Sequence, residues 1–200
     1  MSFFLRSLKP DGLLFQLRKP TEEEEGEVYF SIYLGMGRVF VSSLPNSAPL
    51  TAPIFVTTGE KQLLQVEVQH RQVIFEHAGL RYRIGEIPEV NVDSGDQAYV
   101  GGLPGDLDSD VWGGPYKGCL QDLRLDSVHL DVDAWNSSDE EEVYLPSNAE
   151  NVKKGCVSDD TCKVGYSSLI CFVPYSSTQN NQCELGLLLV NRTITSVRTE

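Results

Sequence analysis

The sequence predicts an all-β fold, a two-layered β-sandwich or jelly roll followed by an irregular C-terminal tail. Apolar and polar residues alternate through many short segments up to about residue 130, which is the period of a strand with one buried face. Glycine and proline clusters separate these segments. No segment keeps a 3.6-residue apolar period over a dozen residues, so helices are not expected. Short strands divided by turns are typical of sandwiches and jelly rolls.

The first segments predict two hairpins. The segments SFFLRSL and LLFQL flank the turn residues Lys9, Pro10, Asp11 and Gly12, which predict a hairpin. The segments EVYFSIYL and RVFVSSL flank the turn residues 35–37, whose two glycines tolerate positive φ, and predict a second hairpin. The apolar face predicted for this second hairpin contains Val28, Phe30, Ile32, Leu34, Val39 and Val41.

Further strands are predicted in LLQVEVQH, QVIFEHA, LRYRIG, AYVGGL and GCLQDLRLD. In the first of these, Leu64, Val66 and Val68 point to one face, and the polar residues between them point to the other. From Asp131 the chain becomes acidic and aperiodic, which predicts an irregular segment and then a tail without strands.

The charge of the chain argues against two classes of partner. Its 16 basic and 29 acidic residues give a formal net charge of −13. Nucleic acids and anionic membrane surfaces bind clustered Lys and Arg, so neither is expected as a partner. No apolar run approaches the roughly 18 residues of a membrane helix, and the start MSFFLRSLKPDG does not resemble a signal peptide.

The sequence offers little for catalysis, and we predict that the protein is not an enzyme. The histidines, His70, His77 and His129, do not lie beside a serine or cysteine in a nucleophile motif. The rival class is a carbohydrate-active jelly-roll enzyme, which needs two carboxylates about 5 Å apart. Glu67 and Glu76, on adjacent predicted strands, are the candidates, although Glu67 is predicted to face solvent.

The loop GDLDSDVW is a candidate binding loop. Asp106, Asp108 and Asp110 occupy alternate positions, as in some calcium loops, and Trp112 follows them. The flanking helices, central glycine and terminal glutamate of an EF-hand are missing, so a solvated loop is favoured over a calcium loop.

Four blocks of the sequence resemble a laminin G-like domain. They are SFFLRSLKPDGLLFQL, EVYFSIYLGMGRVFV, AYVGGLP and YKGCLQDLRLD, in this order and spacing. The resemblance covers residues 2–156 and implies a laminin G-like jelly-roll sandwich at 1–156, with the family's first strand missing. NVKKGCVSDDTCK resembles the joint to an EGF-like module in the Crumbs family of cell-polarity proteins. Residues 157–200 begin like such a module but do not continue as one.

The five cysteines all lie in the last 82 residues. From composition alone, disulfides with one thiol left over and reduced core thiols both remain open. The resemblance implies a disulfide between Cys119, in a late strand, and Cys156, near the end of the domain. It assigns no partner to Cys162, Cys171 or Cys183.

The resemblance also implies where a calcium ion would bind. One ligand position follows the RVFV strand, where the sequence has Ser42, Ser43 and Asn46. The other precedes AYVGG, where it has Asp93 and, nearby, Asp96. The first position has no carboxylate, which is little charge for a hard dication. We therefore predict no cofactor and keep calcium as the alternative.

By resemblance, the chain is predicted to be a non-catalytic extracellular adhesion or recognition module of a cell-polarity protein. Its expected partner is an extracellular protein, and another Crumbs-type ectodomain is one candidate. Asn136 and Asn191 begin N-glycosylation sequons, which would be used if the chain is secreted. A shortened product without activity of its own is the remaining alternative.

Overall fold

The computed structural model describes residues 1–20, 26–43, 47–93, 95–103, 112–126 and 128–129, together with the backbone of four later strands. These residues form two antiparallel sheets, and none of them is in an α-helix. The predicted all-β sandwich is therefore confirmed. Across the described ranges, no helix has the length and apolarity needed to cross a membrane.

The first sheet has the strand order β13-β14-β10-β1-β6-β7-β8, and an eighth short strand, β11, pairs with β10. Its strands are β1 (Ser2–Ser7), β6 (Gln62–Gln69), β7 (Gln72–His77), β8 (Leu80–Glu86), β10 (Gly118–Leu125), β11 (Val128–His129), β13 (Val152–Lys154) and β14 (Leu169–Phe172). The second sheet has the order β12-β15-β9-β2-β3-β4-β5. Its strands are β2 (Gly12–Lys19), β3 (Glu27–Gly35), β4 (Arg38–Ser42), β5 (Leu50–Thr51), β9 (Gln97–Val100), β12 (Pro146–Ala149) and β15 (Leu188–Asn191).

The prediction of a hairpin across residues 9–12 is wrong. β1 pairs with β6 and β10 in the first sheet, whereas β2 pairs with β3 and β9 in the second. The connection is therefore a crossover between the two layers. Turn residues show where a chain changes direction, but they do not tell which strand becomes the hydrogen-bonded neighbour.

The predicted hairpin of β3 and β4 is confirmed, but its turn differs from the expected one. Positive φ occurs at Met36 (49°) and Gly37 (77°), while Gly35 remains in the strand. Two successive positive φ values are those of a type I′ turn, whose twist matches that of the flanking strands. The Met36 N–H donates to Asp11 Oδ1 at 2.8 Å, which helps to hold a non-glycine residue in this conformation.

The core lies between the sheets and follows the predicted alternation. Leu64 and Val66 of β6 are buried and face inward, and so are Leu120 and Leu123 of β10. These two leucines are three residues apart, so a regular strand would point them to opposite faces. A β-bulge brings both to the core: the register with β1 shifts by one residue between them, and Asp122 has a φ of 52°. The predicted apolar face of the second hairpin is buried at Phe30, Ile32, Leu34, Val39 and Val41.

The segment after residue 131 contributes strands that the sequence analysis did not predict. β13 and β14 extend the first sheet beyond β10, and β12 and β15 extend the second sheet beyond β9. These strands are only three or four residues long, too short for a period of two to be recognised in the sequence.

Three of the four blocks that resemble a laminin G-like domain meet around Tyr116: 2–17, 98–104 and 116–126. Its side chain is fully buried, and its hydroxyl donates to the carbonyl of Arg6 at 2.9 Å. Its N–H donates to the Gly101 carbonyl at 2.8 Å. Gly12 packs so closely that a Cβ there would lie 2.7 Å from the Tyr116 Cα. Glycine at position 12, with a φ of 145°, is therefore required by both space and conformation.

Candidate binding surfaces

The sandwich has two ends, which are joined by β2. This strand runs from Gly12 to Lys19, a distance of about 23 Å at the rise of an extended chain. We call the end near Gly12 the apolar end; it comprises residues 8–12, 36–38, 53–57 and 112–117. We call the end near Lys19 the acidic end; it comprises residues 19, 27–29, 67–70, 86–93, 95–96 and 125–126.

The apolar end is assembled from loops through backbone contacts. The Gly37 N–H donates to the Pro10 carbonyl at 2.9 Å, and its carbonyl accepts from Val56 N–H at 2.8 Å. On the other side, the Leu8 N–H donates to the Lys117 carbonyl at 2.9 Å. Four loops that are distant in sequence are thus held next to one another.

These loops expose three large apolar side chains. Met36 is 75% exposed, Phe55 59% and Leu8 54%. The Arg38 guanidinium lies 4.4 Å from the centre of the Phe55 ring, a cation–π contact. Trp112, from the predicted binding loop, is partly buried next to Gly113, which lies against Asp11. Such clusters on a soluble domain mark contact surfaces more often than isolated exposed residues do.

The acidic end is held by side chains around Asp96, and we call this set of contacts the Asp96 network. Asp96 is only 6% exposed, and its Oδ2 accepts the Tyr29 hydroxyl at 2.8 Å and the Asp93 N–H at 2.9 Å. Asp93 Oδ2 in turn lies 2.8 Å from Lys19 Nζ. The ammonium of Lys19 also lies 5.6 Å from the centre of the Tyr29 ring.

Two groups in this network have shifted pKa values. The hydrogen bond from Lys19 to Asp93, and the charge of that carboxylate, raise the pKa of Lys19. The pKa of Tyr29 is raised far above its ordinary value, first by burial and then by its hydrogen bond to Asp96. Both shifts keep these side chains in the protonated forms that bind the two carboxylates.

The structure brings together only part of the predicted calcium ligand set. Asp93 and Asp96 lie side by side, with Asp93 engaged by the ammonium of Lys19. Ser43 is buried, and Asn46 lies outside the described residues. No group of three or more His, Cys, Asp or Glu side chains suited to a metal ion occurs in the described ranges. Calcium binding at Asp93, Asp96 and Asn46 stays a prediction.

The two candidate catalytic carboxylates are occupied by one arginine. Glu67 and Glu76 lie on neighbouring strands, as predicted, and both carboxylates form ion pairs with Arg81 of β8, which reaches Glu76 at 3.5 Å. Both carboxylates are thus engaged by one guanidinium on the outer face of the first sheet.

Cys119 is disulfide-bonded, and its partner lies outside the side chains that the structure describes. The predicted partner, Cys156, is outside the described residues, so this pairing stays a prediction. The backbone register offers a rival, because Cys171 of β14 lies directly opposite Cys119. β13, which leads towards Cys156, is one strand further away, about 10 Å from β10.

Other predicted positions can be placed only in part. Asp106, Asp108 and Asp110 and the sequon residue Asn136 lie outside the described residues. Asn191 is the last residue of β15, where its backbone pairs with Gln97 of β9. The use of either sequon stays a prediction.

Sequence reasoning missed the residues that most distinguish the two ends. Met36 could have been recognised as an exposed anchor, because a large apolar residue is unusual in a tight turn. Lys19 and Arg81 gave no such signal, because their partners are 74 and 14 residues away in the chain. Such pairings depend on the strand order, which the sequence pattern did not specify.

Comparison with known proteins identifies relatives. Residues 5–128 match the laminin G domain family. The chain is 28% identical over 165 residues to protein crumbs homolog 1 of Mus musculus. It is 32% identical over 167 residues to the mouse protein crumbs homolog 2, and 30% identical over 165 residues to the human protein of that name. These matches cover 81–82% of this chain but only 11% of each relative.

Proposed function

Since this chain belongs to the laminin G domain family, we propose that it is a non-catalytic, extracellular recognition module of an adhesion or cell-polarity protein. The family match and the similarity to crumbs homologs 1 and 2 support this proposal. Its binding partner is an extracellular protein, with a second Crumbs-type ectodomain as the first candidate. The stretch that matches covers only 11% of each relative, so the chain corresponds to one module of such a protein.

The observation that carries the proposal is the apolar end. Large apolar side chains that project from loops on a rigid scaffold are the usual anchors of a protein–protein contact. Met36, Phe55 and Leu8 are exposed, whereas the loops that present them are fixed by hydrogen bonds to one another. A surface that is already ordered loses little entropy when it binds a partner.

Charge favours a protein over a glycan as the partner. Sulfated glycans bind dense basic patches, and this chain has a net charge of −13. The apolar end carries Lys9, Arg38 and Lys117, but Arg38 is committed to the Phe55 ring and Asp11 lies among them. A few cations around apolar anchors match the composition of protein interfaces, where Arg and aromatic residues are enriched.

The test is a binding assay with a matched pair of double variants. The purified protein is immobilised and probed with Crumbs-type ectodomains and with itself, by a pull-down assay and by analytical ultracentrifugation. We expect M36S/F55S to weaken binding by at least about tenfold, because both anchors are lost. The control L63S/L80S removes two side chains of similar exposure from β6 and β8 of the first sheet and should bind normally.

Two results would contradict the proposal. Absence of binding to any such ectodomain at high concentration would remove the proposed partner class. Equal weakening by both double variants would show that the apolar end is not the contact surface. Urea denaturation of each variant separates a loss of binding from a loss of folding.

A further inference from the structure

A cavity of about 590 Å³ opens between the two sheets at the acidic end. One wall is formed by Phe15 and Leu17 of β2 and Phe30 of β3. The opposite wall is formed by Val66 and Val68 of β6, with Leu125 of β10 beside them. Both walls are therefore apolar. The volume lies in the range of pockets that hold small ligands, about 300–1,000 Å³.

The mouth of this cavity is acidic. The acidic residues that line the cavity are Glu89, Asp96 and Asp126, together with Glu67, whose carboxylate pairs with Arg81 on the outer face of the first sheet. Among the described lining residues, the Met1 amine donates to the Val66 carbonyl at 2.9 Å, and burial lowers the pKa of this amine. No lysine or arginine lines the cavity within the described part of the chain.

We propose that this cavity binds an amphipathic organic cation, with an apolar body between the sheets and an ammonium group at the acidic mouth. The apolar walls supply affinity through burial of the ligand body. The carboxylates supply selection by charge, since a site bordered by acids attracts cations and repels fatty-acid carboxylates. This site lies at the opposite end from the surface proposed to contact protein partners, so neither proposal depends on the other.

Three probes with the same tail separate the contributions of burial and charge. Decylammonium, decanol and decanoate are titrated calorimetrically at pH 7, below the concentrations at which they aggregate. We expect decylammonium to bind at least about tenfold more tightly than decanoate, a difference of about 1.4 kcal/mol, with decanol between them. Equal affinity for all three probes, a preference for decanoate, or no binding of any probe would each overturn the proposal.

Two variants test the position of the site. D96N removes a charge while an asparagine oxygen can keep both bonds that end on Asp96 Oδ2, so it should reduce the preference for decylammonium over decanol. V68W should fill the cavity and abolish binding of all three probes. E60Q, an exposed acid outside the cavity, is the control and should behave like the parent.

NMR of the parent protein locates the binding site without any variant, and it replaces the V68W experiment if that variant does not fold. Amide chemical-shift changes on adding decylammonium to the parent should cluster at residues 66–70, 89–93, 95–98 and 125–126. Changes that cluster at the apolar end, or V68W that folds and still binds, would overturn the assignment of the site.

Discussion

The two ends of the sandwich are ordered by different means. At the apolar end, backbone groups bond to backbone groups, and glycines allow the loops to approach within van der Waals contact of Tyr116. At the acidic end, the order comes from charged and phenolic side chains, Lys19, Tyr29, Asp93 and Asp96. Backbone order leaves Met36, Phe55 and Leu8 of the apolar end exposed, whereas the acidic end uses its side chains on itself.

This difference has consequences for stability. Backbone contacts and buried aromatic packing do not respond to pH or salt, and their loss costs the core directly. Side-chain contacts between partly exposed ions are worth less and depend on protonation and screening. Changes at the apolar end should therefore be large and independent of pH, and changes at the acidic end small and dependent on pH.

The largest effect is expected at Tyr116. Replacement by alanine removes a fully buried ring and its hydrogen bond to the Arg6 carbonyl, and we expect a loss of about 3–5 kcal/mol in the free energy of unfolding. Y116F keeps the ring and should lose only about 1 kcal/mol. Urea denaturation at pH 7 measures both. If the two variants lose equal stability, the ring does not organise the apolar end.

The next effect is expected at Cys119, which lies beside this end in β10. C119S should cost about 2–5 kcal/mol, because the unfolded chain is no longer constrained by the disulfide. C183S, at a cysteine with no assigned partner, is the control and should have a smaller effect. Urea denaturation under oxidising conditions compares them.

Peptide mapping without reduction then identifies the partner of Cys119. The resemblance to laminin G-like domains predicts Cys156, which closes a loop of 37 residues (156 − 119). A link to Cys171, as the register of β14 and β10 allows, would contradict that pairing and would make β14 a covalently fixed part of the first sheet.

The sequence predicted strands well and strand neighbours poorly. Alternation identified β3, β4, β6 and β7, because alternate residues of each of these strands are apolar and pack into the core. The error at residues 9–12 arose because a turn signal is local, whereas the choice of partner strand depends on both sheets. The bulge at Asp122 is likewise visible only as an odd spacing of two leucines.

The sequence predicted only those parts of the candidate surfaces whose residues are close together in the chain. Asp93 and Asp96 could be selected because they are close in sequence and precede a recognisable strand. Their partners could not, since Tyr29 is 67 residues away from Asp96 and reaches it only through the order of the second sheet. The apolar end depends on four loops, and no single segment contains its pattern.

The smallest effect is expected at Tyr29 in the Asp96 network. Y29F removes the hydroxyl that donates to Asp96 and should cost about 1 kcal/mol at pH 7, since Asp96 keeps the Asp93 N–H. The raised pKa of Tyr29 also predicts a pH dependence with a definite sign. Above pH 10 the unfolded chain releases the phenolic proton while folded Tyr29 retains it, so the parent loses stability as the pH rises.

Y29F lacks this proton and should lose less stability between pH 9 and pH 11 than the parent does, so the two curves should converge. Tyr33 and Tyr99, whose pKa values are raised by burial, remain in both proteins and supply the same background. Urea denaturation with free thiols alkylated beforehand measures the two curves without disulfide exchange. Parallel curves would mean that Tyr29 does not hold its proton in the folded state, and the acidic end would then resemble the apolar end in its indifference to pH.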